Sequence, residues 1–161
     1  MRAPLCVSLT VGTIWLPVAV VSPVWASILI CVMLVSALLA LFRAPRADAW
    51  VAALPLGLYA GWLSAASCVS LGLIAAGYGY LDQSTAAMAF VFLALVIASA
   101  IQSQLGRAPS YGLAVVWALL AIVVHNLSAV SGDTTVAALA AGGALALLRP
   151  CLLYTSPSPR D

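Results

Sequence analysis

Long apolar stretches alternate with short polar gaps along this chain, and the charges in the gaps change sign from one gap to the next. In order, the gaps carry Arg43 and Arg46 (with Asp48, for a net positive charge), then Asp82, Arg107, Asp133 and Arg149. Because Arg is enriched in the cytoplasmic loops of membrane proteins, this order indicates a chain that crosses a bilayer repeatedly. It predicts that the N-terminus and these arginines lie on the cytoplasmic side.

The apolar stretches predict an all-α fold, a polytopic transmembrane helical bundle of about five to six spans. One span needs roughly 20 apolar residues, so a chain of this length has room for about six spans. We place the spans at about 5–21, 24–42, 52–77, 85–105, 110–130 and 134–149, all within a single domain over residues 1–149.

The first apolar stretch, residues 5–42, is about twice as long as one span requires. Ser22 and Pro23 interrupt it near the middle, which favours a tight hairpin of two spans. A hairpin places Arg2 on the same side as Arg43. The alternative is one span in the second half of the stretch after an interfacial segment, which places Arg2 on the opposite side.

The two ends of the chain need separate interpretation. A signal peptide cleaved near Ala26 is disfavoured, because cleavage would leave a mature chain that begins inside a span. At the other end, the apolar run 134–148 would reach only about 22 Å as a helix, short of a hydrocarbon core about 30 Å thick. Residues 150–161 contain two Ser-Pro pairs, so we expect a non-native or disordered tail that cuts the last helix short.

Composition supports a membrane protein and excludes other classes. Hydrophobic residues make up 65% of the chain and charged residues 6%, too few to give a soluble domain a solvated surface. The chain has no Lys and no Glu, and its arginines are scattered singly, so the expected partner is the lipid bilayer and not nucleic acid. No metal is expected, because Cys6, Cys31, Cys68 and Cys151 lack the spacing of a zinc site or a redox pair.

The helix that follows Pro55 is predicted to have two different faces, given about 100° of rotation per residue. The aromatic face carries Tyr59, Trp62, Ala66 and Ser70. The small-residue face, opposite to it, carries Gly57, Gly61 and Ala65. Small residues let another helix approach closely, either within the chain or in a homodimer. Tyr59 and Trp62 form either a binding wall for a flat apolar ligand or an ordinary packing surface with an interfacial anchor.

Few polar side chains lie within the predicted spans. His125 and Asn126 are the most polar pair, but they lie near Asp133, where interfacial water could solvate them. A solvated structural His is therefore favoured over a proton relay or a ligand contact. The sequence has no mid-span carboxylate pair, no Ser nucleophile motif and no phosphate-binding glycine motif, so we do not expect an enzyme.

Residues 55–66, PLGLYAGWLSAA, resemble the P-x-x-x-Y-x-x-W-x-x-x-A pattern of the TspO/translocator-like tryptophan-rich sensory proteins, particularly their longer bacterial forms. Trp15, Tyr111 and the V-W-A-L segment at Trp117 also resemble that family. The resemblance implies an integral protein of the bacterial inner membrane, with relatives that bind tetrapyrroles or sterol-like ligands in sensing or transport. In two departures, Ser70 replaces a common Asn, and the family's early Trp-Pro-rich elements are not visible, which predicts a fragment.

The resemblance favours the ligand-binding interpretation of the aromatic face. We expect an apolar cleft beside Tyr59 and Trp62 that holds a flat hydrophobic small molecule such as a porphyrin or heme by ring stacking. Trp117 is expected to close the cleft, and Ser70 and His125 are further candidate ligand contacts. A small-solute permease and a non-catalytic scaffold subunit are the alternatives.

Overall fold

The computed structural model describes residues 2–45, 52–105, 108–129 and 132–153. Arg46, Arg107 and residues 154–161 of the predicted tail lie outside the described residues. Within the described ranges the chain forms six helices and no strand, which confirms the predicted all-α fold. The helices are α1 (Arg2–Val21), α2 (Pro23–Phe42), α3 (Leu54–Gly77), α4 (Gln83–Gln104), α5 (Pro109–Ser128) and α6 (Thr134–Leu153).

A single residue, Ser22, separates α1 from α2. Its side chain caps α2 by accepting a hydrogen bond from the Trp25 N–H, 3.5 Å away. Pro23 is the first residue of α2, a position where the missing N–H breaks no intrahelical bond. The chain therefore reverses direction with almost no connecting loop.

The α1–α2 pair is an antiparallel hairpin held by two hydrogen bonds from side chains to backbone carbonyls. Ser8 Oγ donates to the Met33 carbonyl at 2.9 Å, and Trp15 Nε1 donates to the Ala26 carbonyl at 3.0 Å. Because the partner's number falls as the α1 number rises, the helices run in opposite directions. This arrangement corresponds to the first of the two interpretations of residues 5–42.

Five helices, α1 to α5, are long and apolar enough to cross a membrane. The apolar part of α6, Thr134–Arg149, is shorter. The helix itself continues to Leu153, into the segment that the sequence assigns to the tail. Two leucines near the end favour helix, although Pro150 lacks the N–H that would pair with the carbonyl four residues earlier.

Alternate helices in the second half of the bundle pack in parallel. Gly57 and Gly61 of α3 lie against the first turns of α5, in the same order along both helices. Gly143 of α6 lies against Leu95 of α4. Each helix reverses the direction of the preceding one. The described arginines Arg2, Arg43 and Arg149 therefore lie at one end of the bundle, and the described aspartates Asp82 and Asp133 lie at the other.

The centre of the bundle is filled by alanines contributed by most of the helices. Those with no exposed surface are Ala37, Ala40, Ala60, Ala98 and Ala140. Small side chains bring the backbones close, which is how helices associate in lipid without a hydrophobic driving force between them. Larger side chains such as Leu41, Leu105 and Tyr111 complete the core, while many others, such as Val20, Leu73 and Leu145, are exposed on the outside of the bundle.

Candidate functional site

The small-residue face of α3 lies against α5. A Cβ added to Gly61 would come within 2.9 Å of the Ala114 Cβ and would overlap the Tyr111 carbonyl oxygen. A Cβ added to Gly57 would lie 3.1 Å from the Tyr111 backbone nitrogen. Ala65 continues this face and is buried. These residues therefore fix how closely α3 and α5 approach each other.

Tyr111 anchors the same interface through its side chain. It is fully buried, and its hydroxyl lies 2.9 Å from Ser64 Oγ on α3. Ser64 Oγ also donates to the Ala60 carbonyl at 2.9 Å. Tyr111, which also resembles the family, thus links α5 to α3 in the core.

Tyr59 is tied to the α1–α2 hairpin. Its hydroxyl lies 3.0 Å from Ser8 Oγ, and Ser8 is itself fully buried. The Tyr59 ring is half-buried, at the edge of the aromatic face. This contact directs the hydroxyl of Tyr59 toward α1.

Trp62 and Trp117 both point outward, toward the space that lipid would occupy. Trp62 is 55% exposed and Trp117 is 67% exposed. Trp62 is three residues after Tyr59 on α3, so the two rings are neighbours on one helix surface. Among the described residues, the aromatic face is therefore open to its surroundings at Trp62.

Ser70 and His125 lie nearer the aspartate end of the bundle. Ser70 is half-buried on α3, about 16 Å along the helix axis from Tyr59. His125 is exposed in the last turn of α5, about 12 Å along that helix from Trp117. The five candidate ligand contacts thus divide into an aromatic group near the arginine end and a polar group near the other.

Asn126, next to His125, has a structural role at the end of α5. Its Nδ2 donates to the Ile122 carbonyl at 2.9 Å, and its Oδ1 accepts from the Asp133 N–H at 3.1 Å. The amide therefore connects α5 to the start of α6. In this position its polar atoms are used within the protein.

Two aspartates cap helices at the end of the bundle opposite the arginines. The Thr85 hydroxyl and N–H donate to Asp82, which lowers the pKa of that carboxyl. The Ser84 side chain donates to Asp133, and together with the Thr135 N–H it lowers the pKa of the Asp133 carboxyl. Both carboxylates are therefore charged at neutral pH, next to the positive ends of α4 and α6.

Sequence reasoning missed an apolar groove of about 590 Å³ along α2. Its lining includes Val24, Ile28, Val35 and Leu39 of α2 with Leu71 and Ile74 of α3. The spacing of the α2 residues places them on one helix face, but an apolar face on a membrane helix does not reveal whether protein or lipid covers it. None of the five candidate ligand contacts lines this groove.

The described residues offer little for metal chemistry. Among them, no group of three or more His, Cys, Asp or Glu side chains could hold a metal ion. Within the same part of the chain the cysteines Cys6, Cys31 and Cys68 are free thiols. What the arrangement provides instead is a set of aromatic surfaces in an apolar environment.

A bundle of helices with lipid-exposed apolar surfaces and charges at its two ends defines a polytopic α-helical membrane protein. The family model for TSPO-like proteins matches residues 1–152, and the chain belongs to that family. The resemblance seen at residues 55–66 is thereby confirmed. Searches of curated proteins and of solved structures gave no match.

Proposed function

We propose that this TSPO-like membrane protein binds a flat hydrophobic ligand, such as a tetrapyrrole, on the aromatic face of α3 and carries out no catalysis. The proposal rests on two aromatic residues of α3, one exposed and the other held in place by a hydrogen bond. Trp62 is 55% exposed beside Tyr59, whose hydroxyl is held by Ser8. A flat ligand could stack on Trp62 without first displacing protein side chains.

The bilayer supplies the rest of the binding environment. An apolar ligand dissolved in lipid can reach Trp62 laterally, and binding there removes ring surface from acyl chains and not from water. The affinity then depends on ring contact and orientation. Trp117, on the helix that packs against the small-residue face, is a second exposed ring for the same kind of ligand. Ser70 and His125 are proposed as polar contacts for a ligand that extends toward the aspartate end.

The structure gives less support to the alternatives. The small-residue face that suggested a homodimer or scaffold is covered by α5 of the same chain. A permease is expected to present ionisable groups at mid-span, whereas the buried polar side chains among the described residues are Ser and Gln. The orientation that fits the arginine distribution places Arg43 on the cytoplasmic side of a bacterial inner membrane.

The test is a titration of protoporphyrin into the full chain in lipid nanodiscs, followed by the shift of the porphyrin Soret band. Trp62→Ala should weaken binding about tenfold, as expected for the loss of a stacking ring and its contact area. Trp25→Ala is the matched control, since Trp25 is similarly exposed, at 63%, on α2. Equal affinity for the two variants and the unmodified chain would remove the aromatic face from the binding site.

A further inference from the structure

Ser8 makes two hydrogen-bond contacts that together determine where the Tyr59 hydroxyl hydrogen lies. Ser8 Oγ is 2.9 Å from the Met33 carbonyl oxygen and 3.0 Å from the Tyr59 hydroxyl oxygen. Ser8 is fully buried, so water does not compete for it. A carbonyl oxygen can only accept, and a serine hydroxyl has one hydrogen to give. Ser8 therefore donates to Met33, and Tyr59 must donate to Ser8.

This direction limits what Tyr59 can offer to a ligand. Its only hydrogen is used within the protein, and its oxygen keeps free lone pairs. Because Tyr59 is only partly buried, a ligand group that donates, such as an alcohol O–H or a pyrrole N–H, could approach that oxygen and form a hydrogen bond with it. An ether, ester or carboxylate oxygen would place lone pairs against lone pairs, which costs affinity.

We propose that Ser8 is a specificity-determining residue that makes the aromatic face select flat apolar ligands carrying an O–H or N–H donor over otherwise equal ligands that carry only acceptors. Ser8 does this by positioning the Tyr59 hydroxyl, and it touches no ligand itself. The inference rests on the proposed function, because it assigns a ligand chemistry to the same surface. Ser8 lies on α1, whereas the segment 55–66 that resembles the family pattern lies on α3. The residue that determines specificity is thus on a different helix from that segment.

The experiment compares two porphyrins that have the same macrocycle and differ only in their side arms. The first carries alcohol side arms and the second carries the methyl ethers of the same arms. In nanodiscs the unmodified chain should bind the alcohol about fivefold more tightly, the net value of one hydrogen bond. Ser8→Ala releases the Tyr59 hydrogen, which can then be donated to the ether, so the preference should disappear. Tyr59→Phe should also remove it.

The chain provides a matched control in its second serine–tyrosine pair. Ser64 donates to a backbone carbonyl and contacts the hydroxyl of Tyr111, as Ser8 does for Tyr59. Tyr111 is fully buried, however, and cannot meet a ligand. Ser64→Ala should therefore cost similar stability and leave the alcohol-to-ether preference unchanged. A loss of preference in Ser64→Ala would attribute the effect to general loosening and overturn the role of Ser8.

The remaining outcomes separate this inference from the proposed function. If both porphyrins bind equally well and Trp62→Ala weakens both, the aromatic face is a binding site and the role of Ser8 is wrong. If neither binds, both proposals fail. The hydrogen-bond direction has its own measurement, the tyrosine Fermi doublet in Raman difference spectra against Tyr59→Phe. A Tyr59 that is a donor in the unmodified chain and loses this signature in Ser8→Ala supports the inference, and an acceptor Tyr59 overturns it.

Discussion

Gln102 and Gly112 join α4 to α5 across the turn between them: the Gly112 N–H donates to Gln102 Oε1 at 3.0 Å. The Gln102 side chain is 1% exposed, and its Nε2 lies 3.5 Å from the Leu105 carbonyl. No side-chain hydrogen bond caps the start of α5 at Ala108. The buried amide of Gln102 therefore takes part in fixing the first turn of α5.

Gln102→Leu should lower the free energy of unfolding by about 1–2 kcal/mol, because it removes this bond and leaves the Gly112 N–H without its side-chain acceptor. Thermal unfolding in detergent micelles, followed by intrinsic fluorescence, measures the change. The control is Gln104→Leu, since Gln104 is exposed at the end of the same helix. Equal stability of the two variants would contradict a structural role for Gln102.

Gly61→Ala should lower the free energy of unfolding by about 1–3 kcal/mol, because the new Cβ meets the α5 backbone and forces the helices apart. Gly142→Ala introduces the same methyl group inside α6, where nothing lies within 4 Å. It should be neutral or stabilise by up to about 1 kcal/mol through helix propensity. Detergent unfolding curves of the two variants provide the comparison, and destabilisation of similar size in both would show that close approach is not the cause.

Asp133 should make the stability of the bundle depend on acid pH. The pKa of this carboxyl is lowered from its ordinary value of 3.8 by the hydrogen bond from Ser84. A group whose folded pKa is depressed stabilises fully above its unfolded pKa, and this contribution is lost as pH falls through the lower folded value. At pH values below about 4, the melting temperature should therefore decrease.

Asp133→Asn retains a good helix cap but cannot ionise, so its melting temperature should be lower at neutral pH and should change less with acid. Ser84→Ala should weaken the same dependence by removing the first donor. Melting curves from about pH 2 to 7 in detergent test both statements. An unchanged acid dependence in both variants would mean that other carboxyls, such as Asp82, account for it.

The two ends of the bundle should face opposite sides of the membrane. In a chain freed of its native cysteines, Arg43→Cys and Asp82→Cys should react with an impermeant maleimide from opposite sides of sealed vesicles. Both positions are exposed, and α3 lies between them along the chain. Labelling of both from the same side would contradict the transmembrane arrangement and, with it, the placement of Trp62 in the bilayer.

Much of the helix arrangement could be predicted from local sequence. Ser22 and Pro23 indicate the hairpin because their effect on a helix is local, and the glycines at 57 and 61 indicate close packing because small size has the same meaning in any register. The all-α membrane fold follows from the apolar stretches for the same reason. These features depend only on residues near each other in the chain.

The site could be predicted only in part, because its contacts depend on how the helices are rotated against one another. The helical period places Tyr59 and Trp62 on one face of α3. It cannot show that Tyr59 contacts Ser8 or that Trp62 faces lipid. In water, an apolar side chain points toward the core, but in a bilayer that inference fails because lipid is as apolar as the core. For this reason the exposure of Trp117 and the burial of Gln102 were not visible in the sequence.

The one-residue connection at Ser22 has a consequence for biogenesis. With no hydrophilic loop between them, α1 and α2 offer the insertion machinery nothing that could stay in water after the first helix has entered. The two helices should therefore partition into lipid together, as one unit, with the hydrogen bond between Trp15 and Ala26 already formed. Tyr59 would then meet a preassembled partner when α3 follows them into the membrane.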